Sequence, residues 1–205
     1  MVWTGIILST ACSDPTIPIR AKAYDFDSGG DVFRWPADRL PVRFYADPRG
    51  NMRFLVQRAV EAWEEQFLYG EFRGVLVADS LQADVVVLWA DSVPPDVPPD
   101  TGPPVVACSG EAVAVLDSTG KALAEPIHGD LQVRRAIAAS PAQVAACVRR
   151  TAIHELGHAI GIFNHSADST DIMNPTPRVA LPSDRDRRTV EVLYHTAPTL
   201  APPPR

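Results

Sequence analysis

The sequence predicts an α+β fold built on a twisted, mostly parallel sheet of about five strands. Three observations predict it. A short alternating segment precedes a long amphipathic stretch, and two valine-rich runs follow it. A second long apolar stretch ends at a glycine, and a proline-containing irregular region then leads to a final amphipathic stretch. A strand, a long helix and further strands favour a crossover unit with parallel pairing, followed here by a small irregular lobe.

The first half of the chain supplies most of the sheet. Residues 40–46 alternate as a strand does. Residues 51–68 predict the long packing helix, because Val56, Val60 and Trp63 recur at helical spacing and Gly70 follows as a stop. Strands are further expected at 72–78 and 84–89, with weaker candidates at 111–116 and 129–134.

The second half predicts two helices. Ser140 followed by a proline is typical of a helix start, and this helix is expected to end at Gly161. Residues 162–182 read as irregular chain. Ser183 is expected to cap a closing helix that runs to Tyr194.

Composition limits the classes of function. The chain has 205 residues, of which 46% are apolar and 21% charged, so it can bury the core of one domain. The net charge of −6 leaves no basic face for a phosphate backbone, so we expect no nucleic-acid partner. A monomer is expected.

The first twelve residues form a candidate signal segment. The apolar run before Cys12 is too short to span a bilayer and resembles the end of a bacterial lipoprotein signal peptide, in which that cysteine is lipidated. The alternative is an ordinary disordered N-terminus. The signal interpretation predicts a protein outside the cytoplasm, either secreted or attached to the cell envelope through a lipid on Cys12, with residues 13–33 as a linker.

The remaining cysteines are Cys108 and Cys147. If Cys12 carries a lipid, these two are left as a pair, and in an exported protein a pair favours a disulfide over two free thiols. Neither lies in a C-x-x-C motif, so a cysteine zinc site is not expected.

The segment His154-Glu155-Leu156-Gly157-His158 carries the strongest chemical signal. Residues four apart share one face of a helix, so both imidazoles can reach one metal ion. Glu155 points to the flank of that face, where it can contact a metal-bound water without ligating the metal. Gly161 allows a sharp turn, after which His165 can return as the third ligand of one catalytic zinc.

Residues 154–175 (HELGHAIGIFNHSADSTDIMNP) resemble the zinc signature and Met-turn of the metzincin metallopeptidases, in particular their matrixin-like bacterial branch. The resemblance covers about residues 34–195. It also rests on Trp35-Pro36, Leu40-Pro41-Val42, Ala59-Val60-Glu61-Ala62-Trp63, Gln82-Ala83-Asp84-Val85, Ser183-Asp184-Arg185-Asp186 and Val192-Leu193-Tyr194.

The resemblance implies a zincin-like catalytic domain at 34–197, with an upper lobe at 34–161, a lower lobe at 162–197 and a proline-rich tail at 198–205. It makes Glu155 the general base and Gly161 the turn after the helix. His154 and His158 become zinc ligands, and Met173 becomes the hydrophobic floor beneath the imidazoles. An extended substrate is expected along an edge strand near 111–116.

The chain departs from the family pattern near the metal. The usual position of the third histidine is Asn164, and His165 follows one residue later. Imidazole is a good zinc ligand and the Asn side chain is a poor one, so we favour His165. Pro175-Thr176-Pro177 stands where the family often carries the Pro-x-Tyr that lines its specificity pocket.

Calcium binding has only weak support in the sequence. Asp91, Asp96 and Asp100 offer oxygen atoms to calcium, but their spacing matches no recognised loop, and a solvated acidic loop is favoured.

The predicted function is a zinc-dependent endopeptidase acting on a protein or peptide substrate through a zinc-activated water, with Glu155 as base. One alternative is a catalytically inactive, zinc-containing binding module at the cell surface. A second is a structural exported domain in which the motif is fortuitous.

Overall fold

The computed structural model of the protein describes residues 21–90, 107–134 and 140–205. Cys12 and the three aspartates considered for calcium lie outside these ranges, so their predictions stay open. Among the described residues, no helix combines the length and the apolar character needed to cross a bilayer.

One five-stranded sheet forms the centre of the described fold. Its strands are β1 (Val42–Ala46), β2 (Gly74–Val77), β3 (Val85–Ala90), β4 (Ala107–Val113) and β5 (Ile127–Arg134). The order across the sheet is β2-β1-β3-β5-β4, and every neighbouring pair is parallel except β4 with β5. The predicted mostly parallel α+β sheet is therefore confirmed. The strand expected at 111–116 lies instead at 107–113, where it forms an antiparallel edge.

Helix α1 (Met52–Glu64) packs on the sheet but ends four residues before the predicted limit of 68. The backbone N–H of Phe67 donates to the carbonyl of Glu64, three residues back, which tightens the chain into a turn. That turn places the Phe67 ring 4.7 Å from the ring of Tyr194 and 5.8 Å from that of Phe72. A tertiary aromatic cluster, which the helical period of the sequence does not reveal, therefore ends α1.

Helix α2 (Pro141–Ala159) and helix α3 (Asp184–Tyr194) begin where the sequence predicts. The Ser140 hydroxyl accepts a hydrogen bond from the N–H of Gln143, whose side chain in turn accepts one from the N–H of Ser140. Ser183 forms the same reciprocal pair with Asp186 at the start of α3. These caps satisfy N–H groups that the helices leave without internal partners.

The core lies between the sheet and the two longer helices. Strand residues such as Phe44 and Val87 are buried in one apolar cluster with residues of α1 and α2. The indole N–H of Trp63 on α1 donates to the carbonyl of Ile153 on α2 over 2.7 Å. This hydrogen bond ties α1 to the part of α2 that carries the zinc signature.

The chain on both sides of residues 34–197 also packs into this core. Phe26 and Phe33, in the segment assigned to a linker, are buried, and so is Leu200 in the predicted tail. The N–H of Leu200 donates to the carbonyl of Val32 over 3.1 Å, which ties the two segments together. The predicted domain boundaries remain predictions, but the packed unit extends beyond them.

Candidate active site

The last two turns of α2 present His154 and His158 on one face. Their Nε2 atoms are 3.2 Å apart. The Nδ1 atom of His154 lies 2.7 Å from the carbonyl oxygen of Ile172, and that of His158 lies 2.6 Å from the carbonyl oxygen of Ile162. Each carbonyl accepts a hydrogen bond from the Nδ1–H group, so each ring directs an Nε2 lone pair into the shared space.

Gly161 turns the chain after α2 so that it returns to the same space. Its φ is +115°, and a Cβ at this position would collide with the carbonyl oxygen of Phe33, so the turn requires glycine. The Nε2 atom of His165 then lies 3.2 Å from the Nε2 atoms of both helix histidines. Asn164 donates its side-chain amide to the carbonyl of Asp27 instead.

The three Nε2 atoms fit a zinc ion. Ligands 2.0–2.1 Å from zinc in a tetrahedral arrangement are about 3.3 Å from one another, close to the 3.2 Å observed here. Burial lowers the pKa of all three imidazoles, and the neighbouring His154 helps to lower that of His158 to about 3. The rings are therefore neutral at pH 7, which is the form that binds a metal.

Glu155 lies buried between α2 and the edge strand β4. Burial, with a contribution from the negative charge of Glu111, raises the pKa of its carboxyl group to about 8. A dication nearby would favour the charged form and lower this value. Gly110 of β4 packs directly on the carboxylate, since a Cβ there would be 2.5 Å from Glu155 Oε1.

Met173 is fully buried beneath the active-site helix. A Cβ at Gly157, the residue before His158, would collide with the Met173 sulfur and would lie 2.8 Å from Trp63 Cζ2. The helix can therefore rest on Met173 only because position 157 has no side chain. Ile172, the residue before Met173, contacts the His154 ring through its carbonyl oxygen. The role of Met173 as the Met-turn residue stays a prediction.

The comparison with known families agrees with this geometry. The model of the matrixin peptidase family matches residues 42–195, which is more than half of the chain. The chain belongs to the matrixin family. Matrixins are zinc-dependent metallopeptidases, so the family implies a zinc cofactor and a protein or peptide substrate, and the three-histidine group offers the ion a site. No curated protein matches the chain.

Asp186 supports His154 of this matrixin through Ile172, a role that the sequence did not predict. Its Oδ2 atom accepts a hydrogen bond from the N–H of Ile172 over 2.8 Å, and the carbonyl of Ile172 holds His154. Its Oδ1 atom accepts one from the Tyr24 hydroxyl over 2.5 Å. The serine–aspartate capping pattern was visible in the sequence, but it indicates only a helix start.

The matrixin cleft has a volume of about 630 Å³ and runs between β4 and α2. The disulfide between Cys108 and Cys147, the pair expected from the sequence, joins these two walls. The lining residues are Cys108–Ala112, Arg150, Thr151, His154, Glu155, His158, Phe163, His165 and Pro175–Pro177. Gly110 and Arg150 are cleft residues that the sequence did not predict. Arg150 had one available signal, its position four residues before His154.

Proposed function

We propose that this matrixin is a zinc-dependent endopeptidase that hydrolyses peptide bonds with water as the nucleophile. The observation that carries the proposal is the set of three imidazole Nε2 atoms, each 3.2 Å from the other two, in an open cleft with a buried carboxylate on the same helix. Water, the three ligands and the carboxylate are the parts that metal-assisted hydrolysis needs.

When bound, zinc in a three-histidine site would lower the pKa of its water ligand and polarise a carbonyl group. His154, His158 and His165 would hold the ion, and the carbonyls of Ile162 and Ile172 keep two of the rings oriented. Glu155 accepts the water proton on a carboxylate oxygen and later delivers it to the leaving nitrogen. Its low exposure raises its affinity for the proton that it must carry.

The substrate binds as an extended chain along the edge strand β4. Ser109–Ala112 line the cleft, and β4 pairs with β5 on one side only among the described strands. An unpaired edge offers main-chain donors and acceptors to an incoming peptide. This position overlaps only the start of the 111–116 segment first expected to bind substrate.

We also propose that the protein works outside the cytoplasm as a monomer, secreted or held at the cell envelope by a lipid on Cys12. The Cys108–Cys147 disulfide supports an oxidising compartment. Detergent-phase partition of the full chain and of its Cys12→Ser variant checks the lipid, and sedimentation checks the monomer.

The decisive test combines metal analysis with hydrolysis of quenched peptides. The purified protein should carry one zinc and lose activity to a chelator. Glu155→Gln should lower kcat by about 10²- to 10⁴-fold, the contribution of a general base, while zinc content stays at one per chain. Glu125→Gln, an exposed glutamate outside the cleft, is the matched control and should keep wild-type activity.

Two other results would select the alternatives. Zinc bound tightly to a protein that cleaves no peptide would favour the inactive binding module. Protein that retains no zinc after gentle purification would favour a structural domain with a fortuitous motif.

A further inference from the structure

We propose that Arg150 makes the cleft selective for a substrate carboxylate next to the scissile bond. That carboxylate is an acidic side chain of the peptide, and the test distinguishes it from the free C-terminus of a short peptide, which offers the same chemistry. The inference rests on the proposed peptidase function and names the substrate class of the same site.

Arg150 stands beside the reaction centre. It precedes His154 by four residues on α2, so the two share a helical face about 6 Å apart along the axis, one turn of helix. Arg150 lines the same cleft as the three histidines, together with Thr151 and Pro175–Pro177. A side chain of a peptide bound at the metal therefore reaches the guanidinium.

The charge of Arg150 has no partner within the described parts of the chain. No hydrogen bond or ion pair joins it to residues 21–90, 107–134 or 140–205. Arg43 and Arg185, by contrast, pair with the buried carboxylates of Asp84 and Asp171. Because Arg150 is half-buried, its charge is less screened by water than that of a surface arginine.

The acidic residue on the opposite wall does not neutralise it. Glu111 on β4 is exposed and makes no ion pair with Arg150. The positive charge of Arg150 therefore stays unpaired on the helix wall of the cleft, and the carboxylate of Glu111 belongs to the opposite wall.

A carboxylate is the ligand that this arrangement favours. The planar guanidinium presents a fork of N–H donors that matches two carboxylate oxygens, and such charge-assisted pairs are about twice as strong as neutral hydrogen bonds. A bound substrate also displaces water from around Arg150, which penalises any substrate that leaves the charge unpaired.

The test uses quenched peptides that differ only by Asp or Asn at each position around the cleaved bond. At one position the wild-type protein should prefer Asp by about 10- to 100-fold in kcat/KM, the range of a charged hydrogen bond. Arg150→Gln should remove the preference, and Arg150→Glu should shift it toward Lys. Paired peptides ending in a free carboxylate or an amide distinguish the C-terminus from a side chain.

Arg149→Gln is the matched control, because Arg149 is the adjacent, exposed arginine and faces a separate hollow with Glu61 and Leu181. Its Asp/Asn ratio should equal that of the wild type. Binding of the same peptides to zinc-loaded Glu155→Gln, followed by fluorescence anisotropy, gives the ratio of Kd values without turnover. Added salt should reduce that ratio in the Arg150 protein.

The proposal is overturned if the wild type cleaves or binds the Asp and Asn peptides equally, or if Arg150→Gln keeps the preference. An equal loss for both peptides in Arg150→Gln would also overturn it, since the arginine would then only contact the main chain. If the substituted proteins do not fold, the wild-type ratio and its salt dependence still give the result. A wild type that binds these peptides but cleaves none would contradict the proposed function instead.

Discussion

Two glycines govern how closely the parts of the site approach one another. Gly157 lets α2 rest on Met173, and Gly110 lets β4 close on Glu155. Neither has a positive φ, so the need for glycine comes from space alone. The shape of this cleft therefore depends on the lack of a side chain at Gly110 and at Gly157.

Gly110→Ala should lower activity without unfolding the protein. The new Cβ would be 2.5 Å from Glu155 Cγ and Oε1, and the flexible glutamate would move away from its position. Because a base displaced by about 1 Å loses about 10²-fold in rate, kcat should fall by about that factor while zinc content and Tm hold. Kinetics with metal analysis measures both.

Gly129→Ala is the control for that change. It lies on β5 in the same sheet, and its Cβ would meet its nearest neighbour at an ordinary 3.8 Å. Activity should stay near wild type. Equal losses in the two variants would mean that strand flexibility matters, not the contact with Glu155.

Among the secondary-structure elements, β4 and α2 supply most of the residues that line the cleft. Cys108 on β4 and Cys147 on α2 link them across a sequence separation of 39 residues. The same strand presents its backbone to the proposed substrate, and the same helix carries two proposed zinc ligands. The disulfide therefore joins the proposed substrate strand to the helix that carries two proposed zinc ligands.

Replacing both cysteines by serine should lower the free energy of unfolding by about 2–4 kcal/mol, because the unfolded chain regains the entropy of an open loop. KM should rise more than kcat falls, since β4 is released while the histidines stay on α2. Urea unfolding and peptide kinetics measure these effects. Wild-type protein whose disulfide has been reduced should show the same changes as the double variant. Loss of zinc with an unchanged KM would contradict this role.

For the molecule as a whole, a cluster around Asp84 joins distant parts of the chain. Arg39, Arg43 and Arg205 all pair with this buried carboxylate. Burial opposes its ionisation, but the hydrogen bonds from Arg205 and Arg43 prevail and hold the pKa of Asp84 well below its usual 3.8. The C-terminal segment is thereby attached to the sheet.

Asp84→Asn should lower the free energy of unfolding at about pH 7 by about 1–3 kcal/mol, because three guanidinium groups lose their carboxylate. Since the folded pKa lies below the unfolded one, the stabilisation is present above about pH 4 and is lost as the pH falls through the folded pKa. The difference between variant and wild type should therefore narrow in acid.

Urea unfolding of the chelated proteins across this pH range measures the difference. Asp25→Asn removes an exposed ion pair with Lys22 and should change stability little, which makes it the control. A difference that stayed constant down to about pH 2 would show that the charge of Asp84 does not stabilise the fold.

Local sequence patterns were sufficient to predict where α2 and α3 begin and to identify the zinc signature. Ser140 and Ser183 cap helices through hydrogen bonds to residues two or three positions away, and such contacts can be read from neighbouring letters. His154 and His158 share a face because of the helical period itself. A resemblance over about 160 residues then predicted the matrixin fold, which the family match confirms.

Contacts between segments far apart in sequence determine the position of the third histidine, the end of α1 and the walls of the cleft. Asn164 is held by the carbonyl of Asp27, 137 residues earlier, and His165 meets the other two histidines. Phe67 lies beyond the end of α1 and packs on Tyr194. Arg150 lines a cleft only because β4 forms the other wall. Periodicity and capping act within a few residues, whereas the burial of a side chain depends on which distant surface covers it.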